Sequence, residues 1–243
     1  MPRSIFLIAA ACVFVVACGG DKGPMGPTPK PPRISRTRFL AFGDSFTAGE
    51  VTNPIATAPS LIGKLVLVAS ASYPSQLQTQ LRTAYLSQAT SIAVTNGGEP
   101  SERILDGVNR FPGVFDMSRP EVVLLMEGAN GLAQVGPDIS TGVMRIMVQY
   151  AKSNGARVFV GSMLPQVAGR PRGTTPVSEL LGYNSTLQIM STQESITYVD
   201  LYTPMLAEAS TLIGSDGLHP TEAGYRRIAD VFFAAIKSAL EEP

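Results

Sequence analysis

Five short apolar runs, at residues 38–42, 91–95, 121–126, 157–161 and 196–200, recur along the chain and are mostly built from Val, Ile, Leu and Phe. Each has the length of an ordinary strand. Their hydrophobicity is continuous rather than alternating, which predicts strands buried on both faces, as in a parallel sheet. Between them, residues 73–85, 139–154, 177–192 and 221–241 carry apolar side chains at helical spacing. Asn154-Gly155 closes the second of these segments as a C-cap, and Pro220-Thr221-Glu222 opens the last. Strand–helix alternation predicts an α/β domain, a three-layer α/β/α sandwich around a central, mostly parallel sheet of about five strands with right-handed crossovers. In such folds the ligand site lies outside the carboxyl ends of the strands.

The amino terminus breaks the pattern. Met1-Pro2-Arg3 is positively charged, residues 5–16 are an unbroken apolar run, and the small residues Ala17, Cys18, Gly19 and Gly20 follow. This predicts a secretory signal over residues 1–17, since a membrane span would need about 20 apolar residues. Residues 18–35 are rich in Gly, Pro and Lys and read as an extended tether, leaving residues 36–243 as the folded domain.

Composition narrows the chemistry. The 243 residues are 44% hydrophobic, enough for one substantial core, and a monomer is expected. Nineteen basic residues balance nineteen acidic ones, so no overall field draws in nucleic acid. The two cysteines, Cys12 in the apolar run and Cys18 at its end, both precede the folded domain, which rules out a disulfide framework in it. With a single histidine besides, no ordinary zinc site can form, and neither metal nor cofactor is expected.

That histidine, His219, stands in Ser215-Asp216-Gly217-Leu218-His219-Pro220, and a serine stands in Gly43-Asp44-Ser45-Phe46-Thr47-Ala48-Gly49-Glu50 just after the first expected strand. Serine is a weak nucleophile until an imidazole takes its proton. Asp216, three residues before His219, can hold the imidazole tautomer and aim Nε2 outward. Taken singly, the motifs have plainer readings. Asp44 or Ser45 can be a helix N-cap, and Asp216-Gly217 a surface turn.

Together they resemble the first and last blocks of the GDSL family of esterases and lipases, also called SGNH hydrolases. Asn96-Gly97-Gly98-Glu99-Pro100-Ser101-Glu102 is similar to the second block, with Ser101 where glycine is usual. Leu125-Met126-Glu127-Gly128-Ala129-Asn130-Gly131 is similar to the third, with Gly131 where aspartate is usual. The resemblance implies a flavodoxin-like fold and a catalytic triad of Ser45, His219 and Asp216. It also implies an oxyanion hole made by the backbone N–H groups of Ser45 and Ser101 and the Asn130 side chain. Acyl transfer would then proceed in two steps through an acyl-enzyme, with activity rising through the ordinary histidine range of pH. The junction Val15-Val16-Ala17-Cys18 resembles the lipobox of bacterial lipoproteins, implying a lipid on Cys18 and attachment to a membrane of the cell envelope, the outer one given Gly19.

Two loops are expected to shape the pocket. Residues 51–72 hold enough apolar side chains for an acyl-binding wall or a small hairpin, and residues 164–177 bring Arg170 and Arg172, either as substrate contacts or as a solvated basic loop. The expected substrate is a small-molecule ester of short to medium acyl chain. Carbohydrate deacetylation, lysophospholipase or thioesterase activity, and a non-catalytic envelope-binding role remain alternatives.

Overall fold

A computed structural model of the chain describes residues 30–52 and 64–242. The expected signal, Cys18 and most of the tether lie outside the described residues, as does the middle of the 51–72 loop. Strand β1 (Arg33–Ile34) already belongs to the domain, because Ile34 is buried in the core. The folded part thus begins slightly before residue 36.

Strand β2 (Arg38–Gly43) runs into the four-residue helix α1 (Ser45–Ala48). Strands β3 (Glu50–Thr52) and β4 (Leu65–Leu67) then pair antiparallel, so the described ends of the 51–72 loop form a hairpin. Helix α2 (Tyr73–Ala84), β5 (Ala93–Gly98), α3 (Ile104–Ser118), β6 (Val122–Met126), α4 (Leu132–Ser153), β7 (Arg157–Gly161), α5 (Val177–Gln193) and β8 (Thr197–Val199) follow in alternation. Two short helices, α6 (Tyr202–Leu206) and α7 (Ala209–Leu212), precede the closing helix α8 (Glu222–Leu240), and β9 (Glu241–Glu242) pairs antiparallel with β1.

The central sheet has five parallel strands in the order β5-β2-β6-β7-β8. Strand β6 (VVLLM) is buried at every position, as its unbroken apolar run predicts for a central strand. Helices α3, α4 and α5 pack side by side on one face, and α2 packs against α8 on the other. Phe111 of α3 meets Phe42 of β2 edge-on, with ring centroids 4.9 Å apart, while Tyr73 and Phe232 stack between α2 and α8. Strand order counted along the chain is second, first, third, fourth, fifth, the flavodoxin-like winding. Its direction reverses at β2, and ligand sites form at that switch point, beyond the strand carboxyl ends.

Helix α4 is longer than the expected 139–154 because two helical pieces meet at Gly136, whose φ of 78° and ψ of 167° break the spiral before Pro137. The apolar periodicity identifies the second piece. Helix α3 was not expected, since Gly107, Pro112 and Gly113 interrupt it, yet Ile104, Phe111 and Phe115 fall on one buried face.

Candidate active site

Three strand ends of the sheet converge on one place. Strand β2 delivers Ser45, β5 leads into Ser101, and β6 leads into Asn130, while His219 arrives on the loop between α7 and α8. Asp44 caps α1, accepting from the Phe46 N–H at 3.0 Å, as its residue type predicts for a helix start. The same carboxylate accepts from the Ala129 N–H at 2.9 Å and the Gly128 N–H at 3.3 Å. Asp44 therefore does more than cap. It fastens the loop carrying Asn130 to the turn carrying Ser45.

The His219 imidazole Nε2 lies 3.0 Å from Ser45 Oγ, and Nδ1 lies 2.6 Å from Asp216 Oδ2. All three side chains are almost wholly buried. The other Asp216 oxygen accepts from the backbone N–H groups of Leu218 and His219, both at 3.1 Å, so the three-residue spacing closes a tight turn under the ring. Burial works against the Asp216 charge, but the His219 hydrogen bond and the Leu218 N–H hold its carboxyl below the usual carboxylate range. Phe46 meets the imidazole edge-on with centroids 5.8 Å apart, which fixes the ring from its apolar side.

Ser101 has φ of 64°, in the left-handed region that glycine adopts freely. The position where the family pattern has glycine is thus one whose backbone favours glycine, with serine carrying the conformational cost. Neither the Ser45 nor the Ser101 backbone N–H has an acceptor among the described residues. Asn130 donates one amide hydrogen to the Glu102 carbonyl at 3.1 Å, leaving the other for a ligand. Gly131, in place of an aspartate, sits at the start of α4 with φ of 105°. Asn130 finds its support elsewhere.

That support comes from Glu102, the last residue of the second block, and from Arg110, which no block contains. Arg110 of α3 holds the Glu102 carboxylate with two contacts of 2.6 Å and donates to the Gly97 carbonyl at 2.9 Å. Its guanidinium also lies 4.3 Å over the Phe42 ring. Burial opposes the charge of Arg110, but the carboxylates of Glu102, Glu127 and Glu99 hold its pKa above the ordinary value. Arg110 thus braces the segment that presents both Ser101 and Asn130. Beneath it, burial pushes the Asp44 carboxyl up to about 6 against the pull of its backbone donors and His219. Glu127 is raised well above the usual range by burial and by the carboxylates of Asp44 and Glu102.

A cleft of about 670 Å³ opens beside Ser101 and Asn130. Its walls mix Ile104, Val135 and Leu218 with Arg103, Gln134 and Arg172. The 164–177 loop reaches this cleft because the Val167 N–H bonds the Gly217 carbonyl and the Arg172 N–H bonds the Asp216 carbonyl, each at 2.8 Å. Arg172 therefore faces the site, whereas Arg170 lies outside the cleft lining, against Gly217.

Chemically, the arrangement offers a serine hydroxyl beside an imidazole, a carboxylate on the far ring nitrogen, and N–H donors at one mouth of a cleft. The chain is 29% identical to an arylesterase of Vibrio mimicus over 124 residues, 51% of this chain and 52% of that protein, so the match spans about half the arylesterase's length. It is 25% identical to the esterase TesA of Pseudomonas aeruginosa over 149 residues, 60% of this chain and 71% of that one. Among solved structures, a lipase/acylhydrolase from Enterococcus faecalis shares the fold with a TM-score of 0.67 at 20% identity, covering 84% of this chain and 97% of that one. The native M. smegmatis aryl esterase does so with a TM-score of 0.67 at 18% identity, covering 83% and 99%. A mutant of an acetylxylan esterase from Geobacillus stearothermophilus gives 0.64 at 17%, covering 84% and 94%. The family model of the GDSL-like lipase/acylhydrolases matches residues 41–227, from the middle of the first sheet strand into the last helix, and the chain belongs to that family.

Proposed function

We propose that this chain is a serine esterase that cleaves carboxylic esters of short to medium acyl chain through an acyl-enzyme. The observation that carries the reading is the buried relay from Ser45 Oγ through the His219 ring to Asp216, with links of 3.0 and 2.6 Å. Neutral His219 takes the Ser45 proton as Oγ attacks the ester carbonyl, and the developing oxyanion is held by the N–H groups of Ser45 and Ser101 and the free amide hydrogen of Asn130. The imidazolium, stabilised by Asp216, then protonates the departing alcohol. Water enters, gives its proton to His219 and releases the acid.

Membership of the acylhydrolase family supports the reaction class, and the size of the cleft supports a small ester. A fluorophosphonate probe tests it: covalent labelling of Ser45 in folded protein is expected, and its absence would favour a non-catalytic binding role. A panel of p-nitrophenyl esters from acetyl to palmitoyl then locates the acyl preference, expected at the short end. The polar cleft wall of Arg103, Gln134 and Arg172 favours a second reading, deacetylation of a carbohydrate ester, and acetylated xylan in the same panel separates the two.

We also propose export to the cell envelope and attachment to a membrane through a lipid on Cys18, a reading supported by the charged, apolar and small-residue succession of residues 1–20. Incorporation of labelled palmitate, lost in Cys18→Ala, is the expected outcome.

A further inference from the structure

Among the described residues, Glu50 is the one carboxylate near the relay that the esterase reading leaves without a task. Gly49, in the left-handed region at φ of 96°, turns the chain out of α1 and brings Glu50 back toward the nucleophile. Glu50 Oε2 lies 3.7 Å from His219 Nε2, the same nitrogen that faces Ser45 Oγ. The side chain is only 14% exposed, and Oε2 is buried with no hydrogen-bond partner among the described residues. The nearby Tyr225 hydroxyl does not serve it, donating instead to the Glu50 backbone carbonyl at 2.6 Å. A buried carboxylate oxygen with no donor costs free energy and calls for a ligand or a water.

The resting tautomer sharpens the point. With Nδ1–H directed at Asp216, Nε2 presents a lone pair, and a carboxylate facing a lone pair gains nothing. A molecule that donates hydrogens to both atoms resolves the mismatch, and a separation of 3.7 Å is one that a single bridging oxygen spans. Water has two O–H groups. An alcohol has one.

We propose that Glu50 positions the water that hydrolyses the acyl-enzyme and thereby favours water over alcohols as acyl acceptor, a role that rests on the esterase reading above. One water hydrogen bonds Glu50 Oε2 and the other bonds Nε2, leaving an oxygen lone pair for the acyl carbon. As the new C–O bond forms, the proton on the Nε2 side passes to His219. The tetrahedral intermediate then collapses, the bond from carbon to Ser45 Oγ breaks, and His219 returns its proton to Oγ. The hydrogen held by Glu50 stays with the product acid. An alcohol that gives its only hydrogen to His219 has none for Glu50, and one that bonds Glu50 cannot be deprotonated by His219.

The test compares wild type with Glu50→Leu, which removes the acceptor at similar volume, and Glu50→Gln, which keeps a neutral acceptor and a polar surface should the leucine variant fail to fold. With p-nitrophenyl acetate, hydrolytic deacylation should slow by about tenfold in the leucine variant, the scale of one charge-assisted hydrogen bond, so that the first-turnover burst of p-nitrophenol grows relative to the steady rate. With methanol added, the ratio of methyl acetate to acetate should rise by a similar factor, and the glutamine variant should fall between. A merely structural role would not change that ratio. Folded variants whose burst and product ratio match wild type would overturn the role of Glu50 while leaving the esterase reading intact. Wild-type protein that neither labels with fluorophosphonate nor turns over the ester would overturn both.

Discussion

The two sides of the site are built by different means. Ser45, His219 and Asp216 are joined by side-chain hydrogen bonds of 3.0 and 2.6 Å and are almost inaccessible to solvent. Ser101 and Asn130, by contrast, are exposed and half-buried, and what they offer depends on the path of the backbone: a φ of 64° at Ser101 and a carbonyl at Glu102 that holds Asn130. On the first side the chemistry belongs to residue identity, so a substitution removes it outright. On the second, Asn130 offers a side-chain amide that the Glu102 carbonyl aims, whereas Ser101 offers a backbone N–H, so a substitution there matters only as far as it moves that N–H. This is why a serine can stand in a glycine's place without dismantling the site.

The largest effect should come from the first side. His219→Ala removes the only imidazole in the chain, and kcat/KM toward p-nitrophenyl acetate is expected to fall by about 10⁴-fold or more with unchanged far-UV circular dichroism. Full activity in that variant would break the comparison at its stronger half, since no other histidine can take over. Asn130→Ala comes next. Loss of one oxyanion donor typically costs about 10² to 10³ in kcat, with KM much less affected. If KM rises instead and kcat holds, Asn130 binds the ground state rather than the oxyanion.

What the sequence makes legible follows the same division. The five strands and four of the long helices stand out because each buries a continuous or periodic apolar face, and Ser45, Asp216 and His219 stand out because few residue types can do their chemistry. The path of Ser101 is not visible in its identity, which points away from a left-handed φ. Arg110 is an ordinary charge in the sequence, and only α3, hidden by Gly107, Pro112 and Gly113, brings it against Glu102 and the strand ends. Glu50 is likewise just a charged residue after a glycine until the hairpin folds it onto His219.

Asp44 joins the two sides, and its titration tests that junction. Burial lifts its carboxyl from an ordinary 3.8 to about 6, so between these values the folded state keeps a proton that the unfolded chain has lost. Stability contributed here is therefore present at low pH and declines as pH rises through that window, by about 3 kcal/mol for a shift of roughly two units. Asp216 acts in the opposite sense, since its carboxyl is held low and its contribution is lost as pH falls through the folded value. Urea denaturation of wild type and Asp44→Asn from pH 4 to 7 isolates the first effect. The wild type should lose stability relative to the variant as pH rises, and parallel curves would mean that the bonds to Ala129 and Gly128 do not keep Asp44 in a desolvated place.

The smallest effect is the most discriminating about the second side. If Ser101 contributes only a backbone N–H, then Ser101→Gly should relieve a left-handed conformation that costs a side-chain-bearing residue about 1 to 3 kcal/mol, partly offset by about 0.5 to 1 kcal/mol of extra chain entropy in the unfolded state. The net gain, on the order of 1 kcal/mol, corresponds to a rise of about 2 to 4 °C in Tm for a domain of this size. Esterase activity should be kept, because the N–H stays where it was. Ser101→Ala, which keeps the strain and removes only the hydroxyl, should leave both Tm and kcat close to wild type. Ser101→Val should lower both, since a β-branched residue resists a positive φ and would carry the N–H away with the turn. An alanine variant that loses activity while keeping its Tm would show that the serine hydroxyl itself contacts the substrate, and Ser101 would then belong with the side-chain half of the site.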